Sequence, residues 1–572
     1  MPLGKTDGGF FTGIADNVPP GARYVLRLDG EAEFPDPASL SQPDGVFGPS
    51  EVVDAEFDWQ AHYWLGHPLA DYVIYELHVG TFTKEGTFDA AARELSRLKD
   101  LGVTAVELMP VAQFPGARNW GYDGVFPSAA QSTYGGPDAF RRFVDAAHRR
   151  GIAVILDVVY NHMGPEGCRL REFGPYFTDR FTTPWGPALN MDGAHSDAVR
   201  AYFIQSALWW LDDCRVDALR LDATSTLLDL SERPFLTELA EAVADLGRRS
   251  SRLVHLIAEH LRNDARVVRP RELGGFGLDS QWADDLHHGL HVLLTGERPG
   301  PYAEFSGLPD LAKAYAEGWT FDGSRYNSWR GRTLGTPAGA LPGRRFVAYW
   351  QNHDQVGSRV DGARAASLVS GEAHKLALGA VLLSPYLPML FMGDEYGETA
   401  PFHFFADFAD PGLREAVRAG RQRELAEHFG WSGTPPDPND PETFAVCVLA
   451  PKRREAPGAV RLSAFVREAL RLRREHAAFK EPAKERMKVA VSEAPPALVV
   501  SRAAGRGLLV LHFGDVPFEG ELAAPAGRWR LMLDSSAESW GGPGGGAPAA
   551  LASSGTANVR LNPKSLVFYE AM

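Results

Sequence analysis

The sequence predicts an α/β protein built on a closed (β/α)8 TIM barrel, and three observations predict it. Eight β-rich runs, "VIYELHV", "TAVELMP", "IAVILDVVY", "VDALRLD", "LVHLIAE", "FGLDSQWA", "FVAYWQ" and "PMLFMG", follow one another between Val73 and Gly393. Amphipathic helical stretches such as "TFDAAARELSRLKDLG" and "DAFRRFVDAAHRRG" separate the early runs, the alternation expected of βα units around a parallel sheet. The 572 residues exceed one ordinary core, and with 44% hydrophobic and 11% aromatic residues they supply enough packing material for two or three domains.

Taken in order, residues 1–58 carry short alternating runs such as "ARYVLRLDG" between Pro/Gly turns, which predicts a partial N-terminal β-sandwich. Residues 59–480 hold the eight βα units and form the expected barrel, closed by the helical "AFVREALRLRREHAAF". Residues 481–572 return to alternating strands around the loop "WGGPGGGAP", which predicts a C-terminal β-sandwich.

Composition narrows the function. Lys+Arg 58 against Asp+Glu 73 gives a formal net charge of -15, a field that repels nucleic acid and anionic lipid and suits a neutral or cationic ligand. The three cysteines, Cys168, Cys214 and Cys447, are scattered and form no CxxC, so neither a disulfide framework nor a zinc knuckle is expected. The opening "MPLGKTDGGFFTG" lacks an apolar h-region and no apolar run reaches the length of a membrane span, so a soluble, cytoplasmic protein is expected.

Barrel sites form where strands end and the following loops begin, so charged residues at those ends carry the functional reading. The third run ends "LDVVYNH", giving Asp157, Asn161 and His162; the fourth gives Arg220 and Asp222; the fifth ends "LIAEH", giving Glu259; the seventh ends "WQNHDQ", giving His353 and Asp354. Read with period two, Ala218, Arg220 and Asp222 share one face of their strand while Leu219 and Leu221 take the other. Taken alone, Arg220 and Asp222 read first as a structural ion pair rather than as a functional one. Three carboxylates beyond Asp157, from three strands, can converge on one mouth.

The segments "DVVYNH", "VDALRLDA", "LIAEH" and "QNHDQ" resemble, in order and spacing, the four signature regions of the α-amylase superfamily of retaining glycoside hydrolases. The resemblance implies Asp222 as nucleophile, Glu259 as general acid/base and Asp354 as the carboxylate that steadies the transition state. Retention requires two carboxyl groups about 5 Å apart, one to attack the anomeric carbon and one to protonate the leaving oxygen. Arg220 is expected to favour the ionised Asp222, and burial of Glu259 behind "LVHLIA" to raise its pKa. The resemblance places His162 and His353 against the sugar in the cleaved subsite, together with Gln355, and Tyr122 of "NWGYDG" as its aromatic platform. Asp157 and Asp123 read as braces.

Within the superfamily the chain resembles the maltooligosyltrehalose trehalohydrolases over nearly its whole length, through "PDPASLSQPDGVFGPSEVVD", "WADDLHHGLHVLLTGE", "PFHFFADF" and "GRQREL". This implies cleavage of the α-1,4 bond beside a terminal trehalose, with a maltooligosyltrehalose-forming synthase as functional partner. Asp284, Asp285, His287 and His288 would offer polar groups to a neutral sugar, and Trp120, Phe402, Phe404 and Phe405 apolar faces, although "FHFF" reads equally as core packing. Several positions depart from the pattern. Only the latter part of a front sandwich is recognisable, Ser225 in "ATSTL" stands where relatives place a histidine and either replaces that contact or leaves it unmade, His260 follows Glu259, and "CVLAP" lacks a tryptophan. No cofactor and no obligatory metal are expected; Asn161 resembles a calcium-binding position but no dense oxygen cluster surrounds it in sequence. A glycogen branching enzyme, using the same carboxylates for transfer, and a non-catalytic carbohydrate-binding protein stay open as alternatives.

Overall fold

The computed structural model describes residues 1–480 and 484–572. Eight strands, β1 (Ile74–Leu77), β2 (Ala105–Leu108), β3 (Ala153–Val158), β4 (Ala218–Leu221), β5 (His255–Ala258), β6 (Ser280–Trp282), β7 (Phe346–Tyr349) and β8 (Leu387–Phe391), pair in parallel and close into a barrel in chain order. Seven lie within the sequence runs, and β8 begins at Leu387, one residue before the eighth. Helix Phe88–Leu101 shows how local chemistry cuts the units. Thr87 caps it by accepting a hydrogen bond from the Ala90 amide, Leu95, Leu98 and Leu101 bury one stripe, and Gly102, at φ 111°, ends it in the left-handed conformation.

The strands carry two kinds of interior. Toward their starts the barrel is filled by Ile74, Ala105, Ile155, Ala218, Ile257, Val347 and Met389. Two residues further along the same inward-facing rows come Glu76, Glu107, Asp157, Arg220 and Glu259, all buried. Leu219 and Leu221 point outward into the packing between barrel and helices, so the period-two reading of β4 is the observed one.

After the barrel, a six-stranded antiparallel sheet and a two-stranded pair, Phe518–Ala523 with Thr556–Leu561, enclose a core including Val499, Val510, Trp529 and Tyr569. The sheet is tied to the barrel by buried cations: Lys375 donates to Ser535 O at 2.8 Å and Arg502 to Leu383 O at 2.6 Å. The boundary expected between 480 and 481 abuts residues 481–483, which lie outside the described residues. At the front, strands occur only as three two-stranded pairs. Phe10, Phe11 and Ile14 are exposed, whereas residues 35–54 pack on the barrel side, where Tyr202 donates to Pro37 O at 2.7 Å.

Candidate active site

Arg220 organises the mouth. Its Nη1 donates to both Asp157 oxygens, at 2.9 and 2.7 Å, and to Asp222 Oδ1 at 2.9 Å; its Nη2 donates to Glu259 Oε2 at 2.8 Å. One fully buried guanidinium thus bridges three carboxylates from the ends of β3, β4 and β5, and the Trp282 ring lies 4.1 Å from it. Asn161 Nδ2 fixes the other oxygen, Asp222 Oδ2, at 2.7 Å and also donates to Asp222 O. Asn161 is therefore spent on orienting Asp222. Among the described residues no three His, Cys, Asp or Glu side chains are grouped as a metal site requires.

The backbone turns sharply after Asp222. Ala223 sits at φ 39°, unusual for a residue with a Cβ, and its amide donates to Glu259 Oε2 at 2.9 Å. Thr224 Oγ1 donates to Glu259 O at 2.6 Å, so the β4 loop holds Glu259 by both ends. Glu259 Oε1 has no hydrogen-bond partner among the described residues and is the oxygen left for a ligand.

Burial and charge separate the carboxyl groups. Burial raises the Glu259 carboxyl to about 7, opposed by Arg220 and assisted by Asp222, in line with the raised value expected for it. Asp222 is also shifted upward: burial outweighs the lowering by Arg220, and Asp157 adds to the rise. Arg220 thus opposes the shift without reversing it. Asp354 differs in access, with its side chain half exposed at the mouth while the Asn352 side chain caps its helix by accepting from the Asp354 amide at 2.9 Å.

The remaining sequence candidates divide into those facing the mouth and those absorbed by packing. The Tyr122 hydroxyl contacts Asp157 Oδ2 and His353 Nε2, each at 2.8 Å, and its ring stacks on His353. His162 is stacked on Trp185, with Nε2 2.9 Å from Tyr122 O. Asp284 accepts from the Tyr349 hydroxyl and from Gln355 Nε2 at 3.4 Å, while Gln355 Oε1 also accepts from the Asn352 amide. His288 is half-buried and Ser225 is buried beside Thr224. Asp123 is braced by Asn119 at 2.7 Å. In contrast, Asp285 Oδ2 accepts from Asn263 and from the Thr320 and Phe321 amides, and burial lifts its carboxyl to about 6. His287 has both ring nitrogens engaged, by Trp350 O and the Tyr302 hydroxyl. Trp120 is buried on Phe402, its indole donating to His403 O, and Phe405 is buried too; Phe404 lies half-buried against Trp120 and Arg421.

Sequence reasoning passed over Glu76, Glu107, Trp282, Tyr349 and Trp185. A signal existed for the first two: each is a carboxylate in the middle of an apolar strand run, at the inward-facing parity.

The chain is similar to known proteins over most of its length. Residues 41–173 match the family model for the alpha amylase catalytic domain. A malto-oligosyltrehalose trehalohydrolase of Saccharolobus solfataricus is 45% identical over 472 residues, covering 82% of this chain and 81% of that protein. The chain belongs to the malto-oligosyltrehalose trehalohydrolase family. A 1.4 Å crystal structure of an alpha-amylase-type protein of Salmonella typhimurium superposes with a TM-score of 0.87 at 38% identity, covering 100% of this chain and 94% of the other. The branching enzymes stand further from this family member: one from Pseudoalteromonas atlantica is 28% identical and is covered over 58% of its length.

Proposed function

We propose that the protein is a retaining hydrolase that cleaves the α-1,4-glucosidic bond next to the terminal trehalose of a maltooligosyltrehalose, releasing trehalose and a maltooligosaccharide. The observation that carries this reading is the single guanidinium of Arg220 bridging Asp222 and Glu259, two carboxylates on adjacent strand ends, in a member of the trehalohydrolase family.

In this reading Asp222 attacks the anomeric carbon while Glu259, protonated up to about 7, gives its proton to the leaving oxygen. Asp222 Oδ1 and Oδ2 are held by Arg220 and Asn161, which fixes the carboxylate plane for attack. Asp354, open to the mouth, offsets positive charge as it develops on the sugar ring. Glu259, now ionised, draws a proton from water, which then hydrolyses the glycosyl-enzyme. Tyr122, His162, Asp284 and Gln355 line the sugar, with His288, Ser225 and Phe404 further along the cleft. No helix among the described residues is long and apolar enough to cross a membrane. We place the enzyme in the cytoplasm, downstream of a synthase that forms its substrate.

Incubation with maltotriosyltrehalose tests the reading. Trehalose and maltotriose are expected, with retention at the new anomeric centre, and much slower cutting of maltohexaose. Gain of α-1,6 branches in amylose without new reducing ends would establish branching instead.

A further inference from the structure

A carboxylate on β1 lies beneath this machinery and reaches it through His353. Glu76 Oε2 accepts the His353 amide at 3.0 Å and Oε1 pairs with His353 Nδ1, so one side chain clamps both the peptide and the ring. His353 opens the short helix His353–Gly357 that carries Asp354. The other ring nitrogen, Nε2, meets the Tyr122 hydroxyl at 2.8 Å.

Donor and acceptor counting fixes the protons along this chain. Asp157 takes both of its oxygens to Arg220 Nη1 and is therefore an acceptor, so the Tyr122 hydroxyl, 2.8 Å from Asp157 Oδ2, donates to it. Tyr122 Oη then has only lone pairs for His353 Nε2, which must donate. Glu76 at Nδ1 requires a second donated proton. We propose that Glu76 is a positioning residue: by clamping His353 as a doubly protonated ring it sets the Tyr122 hydroxyl, and through it Asp157 and the Arg220 fork that orients Asp222 and Glu259. The inference rests on the functional reading above for the roles of Asp222 and Glu259 only.

The surroundings support the charged ring. Facing His353 are Glu76 and His78 from β1 and its end, Glu107 from β2, Asp157 from β3, Arg220 from β4, Asp354 from its own helix and the Tyr122 hydroxyl. Burial disfavours the imidazolium, but Glu76 and then Asp354 carry its pKa up to about 9. Glu107 does not compete for the role. Both its oxygens are buried without a hydrogen-bond partner among the described residues, and burial holds its carboxyl well above the usual range.

The test is a histidine-selective NMR titration of the full-length protein, with Glu76→Gln and Glu76→Asp, alongside pH profiles of kcat. His353 is expected to titrate near pH 9 in the native protein and below 7 in Glu76→Gln. In that variant kcat should fall on the order of 10²-fold, the size of effect expected from a small misplacement at the reacting groups, with a smaller change in KM. Glu259 sets the native alkaline limb of the kcat profile near 7; in Glu76→Gln that limb should move to lower pH as His353 loses its proton first, and Glu76→Asp should restore both in part. A native His353 that is neutral at pH 7, or a Glu76→Gln variant that loses kcat with its His353 titration unmoved, overturns the proposal. If Glu76→Gln does not fold, the native titration decides alone. Should the native protein fail to cleave maltotriosyltrehalose while His353 still titrates near 9 and shifts in Glu76→Gln, the substrate reading falls and the clamp stands.

Discussion

Two buried aspartates bracket β4, five residues apart, and their chemistry is opposite. Asp217, just before the strand, accepts from His148 Nε2 at 2.8 Å, the Val154 amide at 2.8 Å and Trp64 Nε1 at 2.7 Å, with Arg252 3.6 Å away. Burial pushes its carboxyl up, yet His148 and these other partners together bring it below the ordinary carboxylate range. Asp222, just after the strand, has the Arg220 and Asn161 side chains on its two oxygens and shares that arginine with two other carboxylates, and it is shifted upward. A carboxylate whose oxygens are saturated with donors is built for stability. One kept short of donors beside other anions is built to react, at a cost to stability.

The largest effect should come from breaking the reactive end. Asp222→Asn keeps the shape and one acceptor oxygen for its two donors but removes the nucleophile, so turnover should fall by about 10⁴-fold or more with the circular dichroism spectrum unchanged. Native-like turnover in that folded variant would remove Asp222 from its role.

Breaking the other end should do the converse. Asp217→Asn leaves His148 and Arg252 facing a neutral amide and should cost about 3 kcal/mol in denaturant unfolding, with kcat per folded molecule close to native. Because the folded pKa of Asp217 is lowered, its contribution is present above the unfolded carboxylate value and is lost as pH falls through the folded value. The stability gap between native and variant should therefore shrink in acid below about pH 4.

Glu259→Gln sharpens the comparison in sign. Its folded pKa is raised to about 7, so ionising it inside the fold costs stability that grows as pH rises above the unfolded value and is complete above 7. Relative to the native protein, the variant should gain roughly 2 kcal/mol between pH 5 and pH 8 while losing turnover at every pH. A stability difference independent of pH would contradict the raised value. Trp64→Phe, which removes one donor from Asp217 and keeps the ring stacked on His148, should cost only about 1 kcal/mol.

The strands, their order and their inward-facing rows were legible because period-two patterning and βα alternation are local properties of the chain. The placement of Asp222, Glu259 and Asp354 around one mouth was legible because strand ends mark the mouth of a barrel, whereas the roles proposed for them come from the family resemblance. The partners of Asp217 were not, since its donors come from residues 64, 148 and 154 and its distant cation from residue 252, and no local pattern joins them. Nor did sequence separate Asp284 from Asp285: adjacent in "DDLHH", one faces Gln355 and Tyr349, and the other turns back to hold the Thr320 and Phe321 amides. Which way a side chain leaves a helix start depends on the tertiary partners waiting there. The Glu76 clamp on His353 joins residues 277 apart in sequence and became visible only when β7 paired with β8 and β8 with β1.

Covalent trapping tests the central division of labour most directly. The native enzyme would be incubated with a 2-deoxy-2-fluoro maltosyl fluoride, digested, and its peptides mapped by mass spectrometry. The account predicts a single glycosyl adduct on Asp222, within "VDALRLDATSTL". An adduct on Asp157, Glu259 or Asp354, or turnover with inversion and no adduct, would contradict it.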